Sequence, residues 1–92
     1  MIEELKKKYV ATFEDKTKRL SHALEVSDLQ VLSTLIHQLA GSSGSYGFIT
    51  LSEQCLKVEQ ILLESMKITA HCSEQLEKII KMMEQIRLEN NK

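Results

Sequence analysis

The sequence predicts an all-α fold, an antiparallel four-helix bundle of up-down-up-down topology. Three observations predict it. Proline is absent and glycine occurs only three times in 92 residues, a composition that favours helix. Apolar residues recur at steps of three and four along nearly the whole chain, the spacing of a single helix face. Two segments of capping-box form and one glycine-rich stretch divide that pattern into helix-sized pieces. A chain of 92 residues holds one domain, spanning 1–92, and its core must be simple because so small a domain buries only a little over ~60% of its unfolded surface.

The first stripe is Ile2, Leu5, Tyr9, Phe13, Leu20 and Leu24. It predicts one long helix over residues 2–24, loosened near Asp15. Ser27-Asp28-Leu29-Gln30 has the form of a capping box: the Ser27 hydroxyl accepts from the third helical amide, Gln30 reaches back, and Asp28 complements the positive helix end. The second stripe, Leu29, Leu32, Ile36, Leu39 and Ser43, runs into Gly44-Ser45-Tyr46-Gly47, where two glycines break the helix. Thr50-Leu51-Ser52-Glu53 is a second capping box, opening the stripe Leu51, Cys55, Val58 and Leu62 with Met66 continuing it. Thr69 or Ser73 caps the last helix, whose stripe is Cys72, Leu76, Ile79, Met83 and Ile86 before the polar tail Glu89–Lys92. Met66, Met82 and Met83 are read as bundle packing.

Charge and length exclude several classes. The net charge is −1 with both signs spread along the chain, which offers no electrostatic reason to bind nucleic acid or an anionic membrane; Lys6-Lys7-Lys8 reads as a solvated helix face. No apolar run approaches the ~20 residues that span a bilayer, and no basic segment precedes an apolar signal region. Cys55 and Cys72 sit at core spacings, so reduced thiols in a cytoplasmic setting are the simpler reading. Met1 and the polar tail favour a free-standing protein, and four mutually satisfied stripes favour a monomer.

One segment does not read as plain bundle sequence: His37-Gln38-Leu39-Ala40-Gly41-Ser42-Ser43-Gly44-Ser45-Tyr46-Gly47-Phe48. At about 100° per residue, His37 lies roughly 120° from the centre of its helix's apolar stripe. It belongs on the flank or outside. Gly41 and Gly44 follow on the same face, one and two turns on. Glycine inside a helix costs about 1 kcal/mol relative to alanine, and access with close approach to the imidazole is one reason to bear that cost. Tight helix packing at Gly41 and a helix stop at Gly44 are the other. On the third helix Glu59 lies about 70° off its stripe, at the edge between core and solvent. If the two helices are antiparallel neighbours, its carboxylate meets the ring, accepts from Nδ1–H and leaves Nε2 as a free nucleophile.

The run from His37 to Glu59 resembles the signature of the histidine-containing phosphotransfer (HPt) domain family: H-x-L-K/A-G-S-x-x-x-x-G, then Leu, a small residue and Leu/Val-Glu. The positions here are His37, Leu39, Gly41, Ser42, Gly47, Leu51, Cys55, Val58 and Glu59. The resemblance implies that His37 is the phosphoacceptor and that Glu59 hydrogen-bonds and orients it. It also implies a phosphorelay intermediate of two-component signalling, without kinase activity of its own. The implied partners are a response-regulator receiver domain, which supplies Mg²⁺, and a hybrid histidine kinase; the domain itself needs no metal or other cofactor. Docking is expected on the exposed face of the second helix, at Gln30, Ser33, Thr34, Gln38 and Ala40, with part of the first helix. Tyr46 and Phe48 either extend that surface or cap the bundle end.

One position departs from the family. Many members carry Lys or Arg where this chain has Ala40, and no Lys or Arg occurs from Leu20 to Leu56. Charge on the phosphoryl group must then be met by the receiver, or by Lys16 or Arg19 of the first helix. The departure keeps open an HPt-like interaction module that binds a receiver or kinase without carrying phosphate. A metal-binding bundle would have to draw on His22, His37, His71, Cys55 and Cys72, which show no C-x-x-C or H-x-x-x-H spacing. No nucleotide-binding glycine loop is present to support an autonomous enzyme.

Overall fold

The computed structural model describes residues 2–90, and for Ile2 the backbone alone. The elements are α1 (Ile2–Ala11), α2 (Phe13–Glu25), α3 (Leu29–Ser45), α4 (Ile49–Ser65) and α5 (Ala70–Asn90). They make four arms, because α1 and α2 are two halves of one interrupted rod. The interruption falls at Thr12, earlier than the loosening expected near Asp15. There the Thr12 N–H and Oγ1 both donate to the Tyr9 carbonyl, at 3.0 and 2.6 Å. Donation three residues back tightens the turn, while Thr12 keeps right-handed dihedrals, φ −80° and ψ −11°.

The connections are set by local hydrogen bonds. After α2, Ser27 takes a left-handed φ of 55°, so that its N–H donates to Leu24 O at 3.2 Å and the Asp28 N–H to Ala23 O at 2.8 Å. This paired C-terminal closure usually falls on glycine. Ser27 is therefore spent on ending α2, and the cap of α3 is Asp28, whose Oδ1 accepts from the Val31 N–H at 3.2 Å. The expected Ser27 capping box does not form.

The same closure ends α3 at Gly47 (φ 86°), with Phe48 N–H donating to Ser43 O at 2.8 Å and Gly47 N–H to Gly44 O at 3.1 Å. Gly47 alone stops the helix; Gly44 is inside it. The expected box at Thr50 is also absent, because α4 starts at Ile49 and Thr50 is already helical. Thr69 caps α5 as expected, accepting from the Cys72 N–H at 3.1 Å.

Each arm packs antiparallel to the next. Tyr9 meets Ser42, His37 meets Glu59, and Gln54 meets Gln75. The buried core takes in Tyr9, Phe13, Leu20, Leu32, Ile36, Leu39, Leu51, Cys55, Val58, Leu62, Cys72, Leu76, Ile79 and Met83, so the stripes hold over most of their length. Two predicted core residues are exposed. Leu5 lies on the outside of α1, and Met66, at left-handed φ 55°, has left the helix whose stripe it was expected to continue. Gln75 is buried and accepts from Gln54 Nε2 at 2.7 Å, a polar pair that keeps α4 and α5 in register at no unsatisfied cost.

At the α3–α4 end, Tyr9 stacks on Tyr46 at 4.3 Å and meets Phe13 edge-on at 5.1 Å. Phe48 completes the cluster. Tyr46 and Phe48 thus cap the bundle. Among the described residues no helix is long and apolar enough to cross a membrane, and no three His, Cys, Asp or Glu side chains gather as a metal-binding group.

Two predictions follow from this packing. The Tyr9 hydroxyl lies 2.6 Å from Ser42 Oγ, so Tyr9→Phe should destabilise the fold by about 1 kcal/mol in urea titration; no loss would mean that this contact does not tie α1 to α3. Burial, helped by the charge of Glu59, pushes the Cys55 thiol from its ordinary 9.0 to about 12. An unfolded chain then releases a proton that the native one retains, so stability falls as pH rises from 9.0 towards about 12. The fall should be shallower in Cys55→Ala, and equal slopes would contradict the assignment.

Candidate functional site

The site is built on the α3–α4 seam. His37 projects from the outer flank of α3 with its side chain 76% exposed, and its Nδ1 lies 2.5 Å from Oε2 of Glu59, whose side chain is 25% exposed. A carboxylate has no proton to give, so the ring Nδ1–H donates, and in the neutral ring this leaves the lone pair on Nε2. A charge-assisted bond of this kind is short and directional. With the histidine so open to water it adds little to stability, in the range of ~0–1 kcal/mol for exposed pairs. Its geometry is that of a tether on one ring nitrogen.

The two glycines on the histidine face do different work. A Cβ placed on Gly41, one turn after His37, would meet nothing within 4 Å. That turn is open ground beside the imidazole. A Cβ on Gly44 would stand 3.1 Å from Ser52 Oγ, so this glycine serves helix contact. The expectation that both glycines leave the histidine open to close approach therefore fits Gly41 but not Gly44, and the alternative of packing at Gly41 and a helix stop at Gly44 fits neither.

A family model described as the Hpt domain matches residues 4–89, nearly the whole chain. The chain belongs to the Hpt domain family. No curated protein and no solved structure matches it. Hpt domains are helical bundles that act in histidine phosphotransfer in two-component signalling, as phosphocarrier modules rather than kinases, and they interact with receiver domains and kinases.

Of the residues expected around His37, Gln30, Thr34 and Gln38 are exposed and Ser33 is half-buried. Ala40 is not on this face. It is 6% exposed, turned towards the α4 side of α3, where its carbonyl accepts from Ser52 Oγ at 2.7 Å. Lys16 and Arg19 each have a partner on their own arm. Arg19 pairs with Asp15 at 2.9 Å, and Lys16 Nζ sits 4.4 Å from the centre of the Tyr9 ring. Lys16 lines a groove with Leu35, Gln38, Leu39 and Ser42, and desolvation there lowers its pKa.

Sequence reasoning missed the α4 side of the surface. Glu59, Leu63 and Met66 line a groove with Leu29, Gln30 and Ser33, and Ile49, Leu56 and Leu63 are exposed along α4. The signal was available. These three recur every seventh residue as a second apolar line beside the core stripe, and a helix that needed only one buried face would not carry it.

Removing the carboxylate should release the ring. In ¹⁵N spectra of neutral His37, Glu59→Ala is expected to lower the Nδ1–H to Nε2–H ratio about tenfold, the weight of one charge-assisted bond. Global stability should change by under about 1 kcal/mol. An unaltered tautomer ratio would show that Glu59 does not orient the ring.

Proposed function

We propose that His37 is the phosphoacceptor and that the domain carries a phosphoryl group between receiver-domain aspartates. The observation that carries this reading is the Glu59–Nδ1 contact at 2.5 Å on a ring that is otherwise open to solvent. It supplies what a phosphoryl carrier requires: an exposed imidazole held at Nδ1, so that in the neutral ring Nε2 is left to attack.

The reaction is in-line transfer. Nε2 attacks the phosphorus of an aspartyl phosphate, an N–P bond forms, and the P–O bond to the receiver's carboxylate breaks. The ring gains positive charge as the bond forms, and Glu59 is already placed to meet it. Catalysis on the Hpt side is thus positioning. The negative charge of the phosphoryl oxygens is met chiefly from the other partner, because Lys16 and Arg19 lie against Tyr9 and Asp15 on their own arm. The receiver brings Mg²⁺ and a lysine in this reading.

The receiver seats over Gln30, Thr34 and Gln38, which are exposed, and over the groove of Leu63 and Met66. Open backbone at Gly41 lets it approach within reach of Nε2. A hybrid histidine kinase is the further partner, the domain works as a monomer, and its exchange with receivers assigns it to the cytoplasm.

Mixing with a phosphorylated cognate receiver tests the reading. The wild-type chain should take up acid-labile, base-stable phosphate, and His37→Gln none. Full labelling of His37→Gln would place the phosphate elsewhere. A wild-type chain that binds the receiver and stays unlabelled would make this an interaction module. Leu63→Asp should weaken receiver binding about tenfold or more by setting a charge in the apolar groove; unchanged affinity would move the docking surface off α4.

A further inference from the structure

We infer that Gly44 is a positioning residue for the histidine site: by admitting Ser52 against α3 it sets the helix separation at which Glu59 reaches His37. The inference builds on the proposed role of His37, but its geometry stands on the seam alone.

Gly44 follows His37 by seven residues, and Ser52 precedes Glu59 by seven. On antiparallel helices this places the two contacts on one line of the seam, two turns or ~10.5 Å apart. At the far contact the approach is close. Ser52 Oγ donates to the Ala40 carbonyl at 2.7 Å, and a methyl at Gly44 would stand 3.1 Å from that oxygen and 3.7 Å from Ser52 Cβ. The second distance is ordinary contact; the first is not. The contact must open by a few tenths of an ångström, and the hydroxyl is not free to yield, because its bond to the Ala40 carbonyl ties it to α3.

The helix behind Ser52 is equally held. Leu51 and Cys55 flank it and are fully buried, and a packed interior moves as a body and not by local give. A methyl at Gly44 therefore pushes this end of α4 outward. Glu59 rides on the same rod, and its bond to Nδ1 starts at 2.5 Å. Hydrogen bonds weaken steeply once distance and angle depart from their optimum. A glycine in a packing contact thus governs the ring's tautomer from two turns away.

Helix propensity alone predicts that Gly44→Ala stabilises α3 and leaves the His37 tautomer ratio unchanged. The test reads the His37 ring in ¹⁵N-labelled full chain, with phosphoramidate as a small phosphoryl donor in a parallel assay. Gly44→Ala should lower the Nδ1–H to Nε2–H ratio about tenfold, as expected for loss of one charge-assisted bond. Ser52→Ala alone should leave the ratio near wild type, because buried Leu51, Cys55 and Val58 still hold α4. Gly44→Ala with Ser52→Ala should restore it, since the remaining 3.7 Å contact is ordinary. A wild-type ratio in Gly44→Ala, or a double variant no better than Gly44→Ala, overturns the inference. Failure of the wild-type chain to take phosphate from phosphoramidate would count against the phosphoacceptor reading and leave the tautomer measurement to judge the seam.

Discussion

A carboxylate can steer a surface imidazole only if the two helices that carry them keep a fixed separation, and here the α3–α4 seam imposes it. The seam is held from both sides of its length. Leu32, Ile36 and Leu39 pack inward from α3 and Leu51, Cys55 and Val58 from α4. The Ser52 hydroxyl bonds to a backbone carbonyl of α3. Glu59 then needs no help from solvent to find Nδ1. The exposed contact itself contributes little energy. Its geometry is supplied by the buried contacts beneath it.

That division of labour explains how an open histidine stays oriented. A ring buried for rigidity is closed to a protein partner, and one free in solvent samples both tautomers. On this domain the imidazole stands outside the core while its tether is rooted in it. The open backbone of Gly41 follows the ring by one turn of α3, and the apolar groove of Leu63 and Met66 includes its partner Glu59. A transient partner suits such a surface, since exchange requires release as well as binding.

The remaining arms serve this seam indirectly. α5 closes the bundle against α4 through Gln54 and Gln75, and the first arm closes it against α3 through Tyr9 and Ser42. The aromatic cluster of Tyr9, Phe13, Tyr46 and Phe48 seals the end where α3 turns into α4. The turn that joins the two helices of the site is thereby fixed, which sets where α4 begins and hence where Glu59 falls. Stability and chemistry meet at that turn.

Much of this was legible in the sequence, because helix periodicity is a local property. The stripes from Phe13 to Met83 marked the core, and Thr69 marked the start of α5, since apolar spacing and capping chemistry act over a few residues. The spacing of His37, Gly41 and Glu59 singled out the site before any contact was known. Where several local solutions were open, tertiary structure decided. Ser27 and Thr50 both had capping chemistry, yet Ser27 was taken by the closure of α2 and Thr50 was overtaken by the earlier start of α4. Ala40 reads as an exposed neighbour of the histidine by motif but lies against the seam. Gly41 and Gly44 are alike on paper, and only the position of Ser52 on another helix separates the open one from the packed one. Periodicity fixes which face of a helix is buried; what that face meets, and at what distance, depends on residues far away in the chain.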